Sequence, residues 1–438
     1  MKTAYFIGIK GSGMSALAMI LLDLGYQVSG SDVDQYIFTQ TPLLERGVSI
    51  YSFNEKNIKN FDLIIIGNSM DESNPEVKAA YKSGSLVYRY FEFLGKLFKE
   101  YPNSIGVAGS HGKTTTTGMI YAYLKPYFEA GYLIGDGHGL ISNETNALVI
   151  ESCEFQDHFL SYYPQIGVIT NIDLDHIDYF KNLNNYVASF QKFADQCQKA
   201  LVINGDDINC QKIEHPNKIT FGFSNSCDIA AINIVHENNV TTFDLKLNQI
   251  IINNVSVNFV ADHNLYNLLA AIGVCVSLGY TNKQILEHLN DYQGASRRFV
   301  VEEVSDYILI DDYAHHPTEI KVTIQACRDR FKNLPVTLVY KPDRISRLDY
   351  FIKETKEAMI LADNPVITDF MLSAFKEDPN FDIEGFYNKL GPEIYHFCED
   401  DKIAEKLYNF GPGVFLFVST KDVYRIKNQL KEYILSKS

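Results

Sequence analysis

The stretch "GSHGKTTTTGM", residues 109–119, determines how the rest of the sequence is interpreted. It follows "NSIGVA" at residues 103–108, an apolar run that is typical of a buried strand. Gly109 and Gly112 leave backbone N–H groups free to point at phosphate oxygens, and the helix that follows adds the positive end of its dipole. Lys113 would then neutralise the β- and γ-phosphates of a nucleoside triphosphate. Strand, glycine loop and helix in this order predict a triphosphate site in an α/β domain.

The loop departs from the common GxxxxGK[ST] pattern, which requires a glycine five positions before Gly112. Gly106 lies six positions before it, one position too early. A hydroxyl group at the start of the helix is expected to hold Mg²⁺ beside the phosphates. The residues predicted to bind the nucleotide at this loop are Gly109, Ser110, His111, Gly112, Lys113, Thr114 and Thr115.

Acidic and imidazole side chains follow the next two apolar runs. "ALVI" ends in "ESCE", with Glu151 and Glu154, and "GVI" is followed by "TNIDLDH", with His176. Open α/β sheets place their ligands at the carboxyl ends of strands, so these groups are expected beside the triphosphate. Thr114, Glu151 and His176 are predicted to bind a divalent metal ion. Solvated loop acids and a surface histidine remain the alternative.

A second glycine cluster, "GIKGSGM" at residues 8–14, lies at the N-terminus between an apolar run and a helical pattern. Asp32 closes the next apolar run, as in a dinucleotide fingerprint, but the glycine order is GxxGxG. A diphosphate on the helix N-terminus suits either NAD or a UDP-sugar, and glycines that only pack helix against strand are the third interpretation. The residues predicted to bind this diphosphate ligand are Gly8, Gly11, Ser12, Gly13, Met14 and Asp32.

The composition of the 438 residues narrows the class of protein. A net charge of -15 argues against nucleic acid or an anionic membrane as a partner. The sequence has no apolar run near the roughly 20 residues of a membrane span. Seven cysteines without a CxxC pair and a start without a signal-peptide pattern predict reduced thiols in the cytoplasm.

Alternating apolar runs and helical patterns predict three tandem α/β domains over residues 1–100, 101–296 and 297–438. Residues 228–262 differ, because their β-branched alternation is typical of an antiparallel hairpin.

The C-terminal third carries a further group of charged residues at strand ends. Arg344 and Arg347 in "KPDRISR" would face the same side of a helix, which suits a small carboxylate. Asp312, His315 and His316 in "DDYAHHPTE" follow the apolar run "YILI". We expect them at the ligand-binding edge of a sheet.

Taken together, "GIKGSGMSALA", "GSHGKTTTT", "TNIDLDH", "DHNLYNLLAA", "RRF" and "DDYAHHPTEI" resemble the Mur ligases in order and spacing over almost the whole chain. The resemblance implies a Rossmann-like N-terminal domain that binds UDP, a central P-loop ATPase-type domain and a Rossmann-like C-terminal domain. "DDYAHHPTEI" points to the alanine-adding branch or to the murein tripeptide ligases. One phosphate loop would hold the UDP-sugar and the other would hold ATP.

The activity implied is an ATP-dependent ligase of peptidoglycan precursor synthesis. It would join L-alanine to the lactyl carboxylate of UDP-N-acetylmuramate through an acyl phosphate, with Mg²⁺ or Mn²⁺. The resemblance assigns catalysis to Lys113, Glu151, His176, Arg344 and Arg347. It adds Asn264, Asn267, Asp312 and His316 to the ATP site and Arg297 and Arg298 to the UDP-sugar site.

Three segments depart from the family pattern. Lys341, Pro342 and Asp343 stand where the family usually has QPH, and "STKD" at 419–422 replaces a glycine-rich GAGD. "ESCEF" is less acidic than usual. The departures leave open another amino acid, a murein tripeptide, or a paralogue that binds a UDP-sugar without turnover. A nicotinamide dehydrogenase would leave the lysine loop unexplained.

Overall fold

The computed structural model describes residues 2–237, 240–259, 261–292, 299–370, 381–420 and 423–437, which form three β-sheets with flanking helices. The sheets follow one another along the chain, so the prediction of three tandem α/β units is confirmed. The domain boundaries near residues 100 and 297 stay a prediction. Within the described part of the chain, no helix is long and apolar enough to cross a membrane.

The first sheet consists of five parallel strands. They are β1 (Thr3–Ile7), β2 (Gln27–Asp32), β3 (Ser49–Ser52), β4 (Leu63–Ile66) and β5 (Leu86–Arg89). The strand order is β3-β2-β1-β4-β5. The helices of this unit are α1 (Ser12–Asp23), α2 (Gln40–Glu45), α3 (Pro75–Lys82) and α4 (Tyr90–Phe98). Because the strand order reverses at β1, the glycine loop that follows β1 lies at the crevice where such sheets bind ligands.

The second sheet has ten strands and is built around the strand that leads into the lysine loop. The strands are β6 (Asn103–Ala108), β7 (Ala130–Leu133), β8 (Gly139–Leu140), β9 (Ala147–Glu151), β10 (Ile166–Ile169), β11 (Ala200–Asn204), β12 (Lys218–Gly222), β13 (Ile229–Glu237), β14 (Val240–Leu247) and β15 (Ile250–Val257). The helices are α5 (Lys113–Leu124), α6 (Ile177–Phe180), α7 (Leu183–Gln196), α8 (Asp262–Ser277) and α9 (Asn282–Glu287). β6 pairs in parallel with β9 and β10, so the segments after these three strands meet at one edge.

The antiparallel segment of the central unit has one strand more than the hairpin expected from the sequence. β13, β14 and β15 form a three-stranded meander along one edge of the sheet. β14 ends at Leu247 and β15 begins at Ile250, with Asn248 at φ 54° in the two-residue turn. Asparagine tolerates this left-handed conformation without a glycine, so the turn has only a weak signal in the sequence.

The third sheet has six strands, all parallel to their neighbours except the first. They are β16 (Val300–Val304), β17 (Tyr307–Asp312), β18 (Val336–Tyr340), β19 (Asn364–Thr368), β20 (Tyr395–Phe397) and β21 (Val414–Val418), in the order β16-β17-β21-β18-β19-β20. The helices are α10 (Pro317–Arg330), α11 (Ile345–Tyr350), α12 (Ile352–Met359), α13 (Ile383–Leu390), α14 (Ile403–Tyr408) and α15 (Tyr424–Lys437). β17 and β18 end at the segments that carry the predicted histidines and arginines.

Candidate active site

The lysine loop requires glycine at its two ends for different reasons. Gly109 has φ 136°, and a Cβ atom there would overlap the Thr170 hydroxyl. Gly112 has φ 79° and caps α5, and a Cβ atom there would lie 2.5 Å from Asn267 Oδ1. Both conformations are costly for a side chain. The loop therefore brings bare backbone up to the N-terminus of α5, as a phosphate site needs.

Lys113, the first residue of α5, turns back over this loop. Its Nζ donates to the carbonyl oxygens of Gly109 and Ser110, the latter at 3.0 Å, and forms an ion pair with Glu154 Oε2 at 3.0 Å. Burial lowers the pKa of Lys113, but the nearby Glu154 carboxylate outweighs it and raises the pKa above its usual value. The ammonium group is charged and lies against the loop that is predicted to hold phosphate.

Glu151 is bound to the lysine loop through a hydroxyl group. Thr114 Oγ1 donates to Glu151 Oε2 at 2.9 Å, and the Gly135 backbone N–H donates to the same oxygen at 2.8 Å. A hydroxyl and a carboxylate in contact at the start of α5 are oxygen ligands of the kind that Mg²⁺ prefers.

Glu154 is the glutamate that lies beside His176. Its Oε1 is 3.6 Å from His176 Nε2, and its side chain is only 1% exposed. Burial raises the pKa of Glu154, but Lys113 and His176 outweigh it and hold the pKa below its usual value. Of these two glutamates, only Glu151 was predicted from the sequence to be a metal ligand. The ExxE spacing at a strand end was the signal that both carboxylates belong to the site.

A line of charged groups runs from the lysine loop to the C-terminal unit. His176 Nε2 lies 3.8 Å from Asp175 Oδ2, and Asp175 Oδ1 accepts a hydrogen bond from Arg347 Nε at 3.2 Å. Together with the Lys113–Glu154 and Glu154–His176 contacts, this line joins the predicted phosphate lysine to the predicted carboxylate arginine. The two groups are therefore brought to one place by the fold, although 234 positions separate them in the sequence.

Arg347 and Arg344 point toward the central unit. Arg347 is 5% exposed and bonds both Asp175 and Asp343, with Asp343 Oδ1 at 3.1 Å from its NH1. Arg344 lies 3.8 Å from Asp178 and packs over the Phe155 ring at 5.2 Å. The guanidinium groups lie at the interface between the two units, where a small carboxylate could compete with the aspartates.

The two departures from the family pattern in this unit touch each other. Thr420 Oγ1 donates to Asp343 Oδ2 at 2.8 Å. Burial raises the pKa of Asp343, but Arg347 outweighs it and lowers the pKa overall. Asp343 is therefore ionised and binds Arg347 rather than facing the pocket as a free charge. Lys421 and Asp422, the other half of "STKD", lie outside the described residues.

A cavity of about 810 Å³ adjoins the lysine loop and lies between the central and C-terminal units. Six of the residues that the sequence predicts to bind the nucleotide line this cavity: His111, Gly112, Thr115, Asn264, Asn267 and Asp312. Aromatic residues of both units also line it, and the sequence analysis did not select them: Phe221, Phe259, Tyr266, Tyr292 and Phe299. The volume and the aromatic walls are within the usual range for a ligand of nucleotide size.

Asp312 and Asn267 are held at this cavity by short contacts. Asp312 accepts the backbone N–H groups of Phe299 and Ala314, both at 2.8 Å. Asn267 accepts the Thr116 hydroxyl at 3.1 Å. Both side chains thus order the walls of the cavity.

His111 and His316 meet at the edge of the cavity, with ring centroids 4.9 Å apart. His111 contacts Asp173 at 3.1 Å and Glu319 at 3.2 Å. Burial lowers the pKa of His111, but Glu319 and Asp173 outweigh it and raise the pKa to about 9. Burial and the neighbouring His111 lower the pKa of His316 to about 4. One imidazole is thus cationic and the other neutral at pH 7.

The N-terminal glycine loop has the geometry of an open helix N-terminus. Gly8 has φ 86°, and Gly11 precedes α1 without a side-chain cap. A Cβ atom on Gly13 would lie 2.6 Å from the Tyr90 hydroxyl. Asp32 accepts the backbone N–H groups of Lys10 at 2.7 Å and Val33 at 2.8 Å, so its carboxylate shapes this loop.

The other predicted residues of this site fall into two groups. Met14 is buried and Ser12 is partly exposed at the start of α1. Arg297 and Arg298 lie outside the described residues.

The two phosphate loops are connected through the turn between β7 and β8. Ser15 of α1 donates to the Gly137 carbonyl oxygen at 3.3 Å. Two residues earlier in this turn, Gly135 bonds Glu151, which in turn bonds Thr114. A ligand that extends from the first loop along this turn would reach the second.

Comparison with known proteins shows similarity over all three units. Models of the Mur ligase family catalytic domain and of the Mur ligase middle domain match residues 3–102 and 107–275. A UDP-N-acetylmuramate–L-alanine ligase of Lactiplantibacillus plantarum is 37% identical over 415 residues, which are 94% of either chain. The crystal structure of a UDP-N-acetylmuramate–alanine ligase from Thermotoga maritima matches with a TM-score of 0.83 and 25% identity over 100% of both chains. A murein peptide ligase from Psychrobacter arcticus shares the fold, with a TM-score of 0.74 and 21% identity over 99% of both chains.

Proposed function

Because the chain belongs to the Mur ligase family, we propose that it is an ATP-dependent ligase that joins L-alanine to the lactyl carboxylate of UDP-N-acetylmuramate. The family assignment confirms the resemblance seen in the sequence. The substrates are taken from the relative that is 37% identical over nearly its full length. The murein peptide ligase supports only the fold, since its identity to the chain is 21%.

One observation carries the proposal: the line of contacts from Lys113 through Glu154, His176 and Asp175 to Arg347. Ligation by an acyl phosphate needs a cation at the transferring phosphoryl group and a holder for the incoming amino acid within one site. Lys113 supplies the first and Arg347 the second. A protein that only binds a UDP-sugar would have no need for this line, nor would a nicotinamide dehydrogenase.

The first step would place negative charge on the γ-phosphoryl group of ATP. A lactyl carboxylate oxygen attacks phosphorus, the bond to the β-phosphate oxygen breaks, and ADP leaves. Lys113 compensates the charge once it exchanges Glu154 for phosphate, and the backbone N–H groups at Gly112 orient the phosphates. Glycine at this position admits the phosphates close to the backbone.

The donor set fits Mg²⁺ or Mn²⁺. Thr114, Glu151, Glu154 and His176 would hold the metal, and His176 Nδ1 is buried with no hydrogen-bond partner among the described residues. When bound, the ion would supply positive charge to the triphosphate. Glu154 joins the ligand set predicted from the sequence because it contacts His176 directly.

The second step would use the C-terminal unit. Arg347, with Arg344 beside it, binds the carboxylate of the amino acid, and the uncharged amine attacks the acyl carbon. The nitrogen of the tetrahedral intermediate loses a proton to solvent, and the C–O bond to the phosphoryl group breaks, so that phosphate leaves with the former carboxylate oxygen. Asp175 and Asp343 align the guanidinium group before the substrate arrives.

The identity of the amine is the finer part of the proposal, because Asp343 replaces a histidine next to the pocket. The test offers L-alanine, glycine, L-serine, L-glutamate and a murein tripeptide in equal amounts with ATP, Mg²⁺ and UDP-N-acetylmuramate. Mass spectrometry of the UDP product then identifies the amine. L-Alanine should dominate. Exclusive use of another amine would assign the protein to another branch of the family. Absence of product with every amine would favour a paralogue that binds the UDP-sugar without turnover.

A further inference from the structure

A second group of metal-ligand side chains lies in the C-terminal unit, apart from the proposed ATP and metal residues. Asp369 directly follows β19, His396 lies within β20, and Cys398 directly follows β20. The two strands are parallel neighbours, with Thr368 paired to Phe397, so Asp369 is next in register to Cys398. His396 and Cys398 are two positions apart on one extended segment and therefore project to the same side. The fold thus brings one imidazole, one thiol and one carboxylate together.

The distances within this Asp369–His396–Cys398 cluster suit a single ion. His396 Nε2 is 3.2 Å from Asp369 Oδ1, and the three ligand atoms lie within 4.8 Å of one another. Ligand atoms on one tetrahedral Zn²⁺ are about 3.3 to 3.6 Å apart, given metal–ligand bonds of about 2.0 to 2.3 Å. Side-chain adjustments of about an ångström at Cys398 would complete that geometry.

Neighbouring contacts hold two of the three side chains in place. The His396 ring stacks on the Tyr387 ring with centroids 3.7 Å apart. The second carboxylate oxygen of Asp369 accepts the Glu399 backbone N–H at 2.7 Å. Such outer contacts are typical of metal sites, because they orient the ligands before the ion binds.

We propose that Asp369, His396 and Cys398 form a binding site for a divalent transition-metal ion of the Zn²⁺ type. Nitrogen and sulfur ligands favour Zn²⁺ or Co²⁺ and disfavour Mg²⁺, so this site differs in chemistry from the oxygen-rich site at Thr114. All three side chains are at least partly exposed, and an ion can reach them without separation of the domains. Three protein ligands leave one position open for water or for a small ligand.

The site is linked to the loop that carries the proposed amino acid arginines. Glu399, adjacent to Cys398, binds Lys341 Nζ at 2.7 Å and the Thr368 hydroxyl at 3.2 Å. Lys341 begins the segment that leads to Asp343. An ion on Cys398 would therefore fix Glu399 and, through Lys341, this segment. This last consequence rests on the proposed function, whereas the ion site itself does not.

The test uses Co²⁺ as the probe, added to the full-length protein in excess Mg²⁺ and without nucleotide. A thiolate bound to Co²⁺ gives a sulfur-to-metal charge-transfer absorption that oxygen and nitrogen ligands do not give. We expect one Co²⁺ per chain with this absorption, its loss in Cys398→Ser, and at least about tenfold weaker binding in His396→Ala and Asp369→Asn. Cys153→Ser is the matched control, since Cys153 is the other exposed thiol, and it should retain the absorption.

The absorption also separates this site from the other groups of possible ligands. The His111, Asp173 and His316 group contains no sulfur, so Co²⁺ bound there would give no such signal. Binding without the charge-transfer absorption would overturn the proposal, as would an absorption that survives in Cys398→Ser or disappears in Cys153→Ser. Because the assay involves no ATP and no turnover, its outcome is independent of whether the ligase assignment holds.

Discussion

At the residue scale, Lys113 is held at the glycine loop by contacts on its ammonium group. Its ammonium group binds the Glu154 carboxylate, which is almost fully buried and also contacts His176. In the proposed function, phosphate oxygens would replace Glu154 and the Gly109 and Ser110 carbonyl oxygens as partners of an ammonium group that already lies at the loop. A preorganised cation of this kind lowers the barrier because little reorganisation accompanies charge transfer to the γ-phosphoryl group.

Replacement of Lys113 by alanine should therefore abolish turnover without abolishing binding of the UDP-sugar. We expect kcat to fall by at least about 100-fold, the scale for loss of one preorganised group in an active site. UDP-N-acetylmuramate should bind with little change, because its proposed loop is at residues 8–14. The measurements are phosphate release and calorimetric titration of the UDP-sugar. Lys125→Ala is the control, since Lys125 is exposed at the other end of α5. Retention of activity by the Lys113 variant would contradict this role.

The role of Arg347 is best tested by substitution with lysine rather than with alanine. Truncation would take the guanidinium partner from both Asp175 and Asp343, and loss of one partner of a buried ion pair typically costs about 3 to 5 kcal/mol, which could disturb folding. Lysine keeps the positive charge, but its ammonium group lacks the planar array of donors by which the guanidinium group can bind two aspartates and a substrate carboxylate. For Arg347→Lys we expect the KM for L-alanine to rise at least about tenfold, while the KM for ATP changes far less.

The control for Arg347→Lys is Arg328→Lys, at a partly exposed position of α10. Steady-state kinetics with either substrate varied gives both constants. Equal increases in the two KM values would remove Arg347 from the amino acid pocket.

At the scale of helices and loops, Gly13 has a packing role besides any role toward a ligand. A Cβ atom there would lie 2.6 Å from Oη and 2.8 Å from Cζ of Tyr90, the first residue of α4. Alanine would favour helix α1 by about 0.5 to 1 kcal/mol, but overpacking typically costs about 1 to 3 kcal/mol. The clash is therefore expected to dominate.

Gly13→Ala should destabilise the protein by about 1 to 2 kcal/mol for this reason. The same change in a Tyr90→Ala background should be neutral or stabilising, because the ring is gone. Chemical unfolding of the parent protein, Gly13→Ala, Tyr90→Ala and the double variant gives the free energy of unfolding of each. These four values show how far the effect of Gly13→Ala depends on the Tyr90 ring. If Gly13→Ala costs the same in both backgrounds, the close approach of α1 and α4 is not the reason for the glycine.

The strands that could be predicted from the sequence are those whose own residues show a clear apolar pattern. β6 and β10 are largely apolar because almost all of their residues are buried, and both were predicted. β3 and β20 were missed, since they are short edge strands with mostly exposed side chains. With four and three residues, they are too short to show an alternating pattern that would distinguish them from loops.

The same division holds for the candidate site. Lys113 and Thr114 could be predicted as site residues because the whole loop is local in sequence. The contact of Arg347 with Asp175 was not found, because the two residues are 172 positions apart and meet only when two domains pack. Glu154 and Glu151 could not be ranked from sequence, since both end the same strand and only tertiary structure places one beside His176.

At the scale of the whole molecule, polar contacts of a few residues join the central and C-terminal units. His111 contacts Glu319, Thr318 Oγ1 donates to Asp173 at 2.7 Å, and Arg347 binds Asp175. His111, Asp173, Thr318 and Glu319 also line the cavity between the two units. Binding of substrate can therefore change how tightly the two units hold each other, as enzymes that close around their ligands require.

The His111 contact gives a prediction for pH. The pKa of His111 is raised to about 9 in the folded protein, above the value of about 6.5 expected in the unfolded chain. Protonated His111 therefore adds to the free energy of unfolding, fully below pH 6.5, and this contribution disappears as the pH rises through 9. The loss should not exceed about 3.5 kcal/mol, since the pKa differs by about 2.5 units and one unit is about 1.4 kcal/mol. Glu319→Gln should lower the pKa of His111 and flatten this dependence.

Two measurements check the pH prediction: NMR titration of the His111 imidazole and thermal unfolding between pH 6.5 and 9. Gln retains the acceptor oxygen that caps α10, so the variant isolates the charge. An unchanged His111 titration in the variant would show that Glu319 does not set the pKa.

The most direct test of the ligase assignment follows an oxygen atom. UDP-N-acetylmuramate labelled with ¹⁸O in the lactyl carboxylate is incubated with ATP, Mg²⁺ and L-alanine, and the released phosphate is analysed by mass spectrometry. If the carboxylate attacks the γ-phosphoryl group and the amine then expels phosphate, one labelled oxygen must appear in each phosphate, and its appearance must require both substrates. Unlabelled phosphate alongside amide product, or no phosphate release with any amine, would contradict the account.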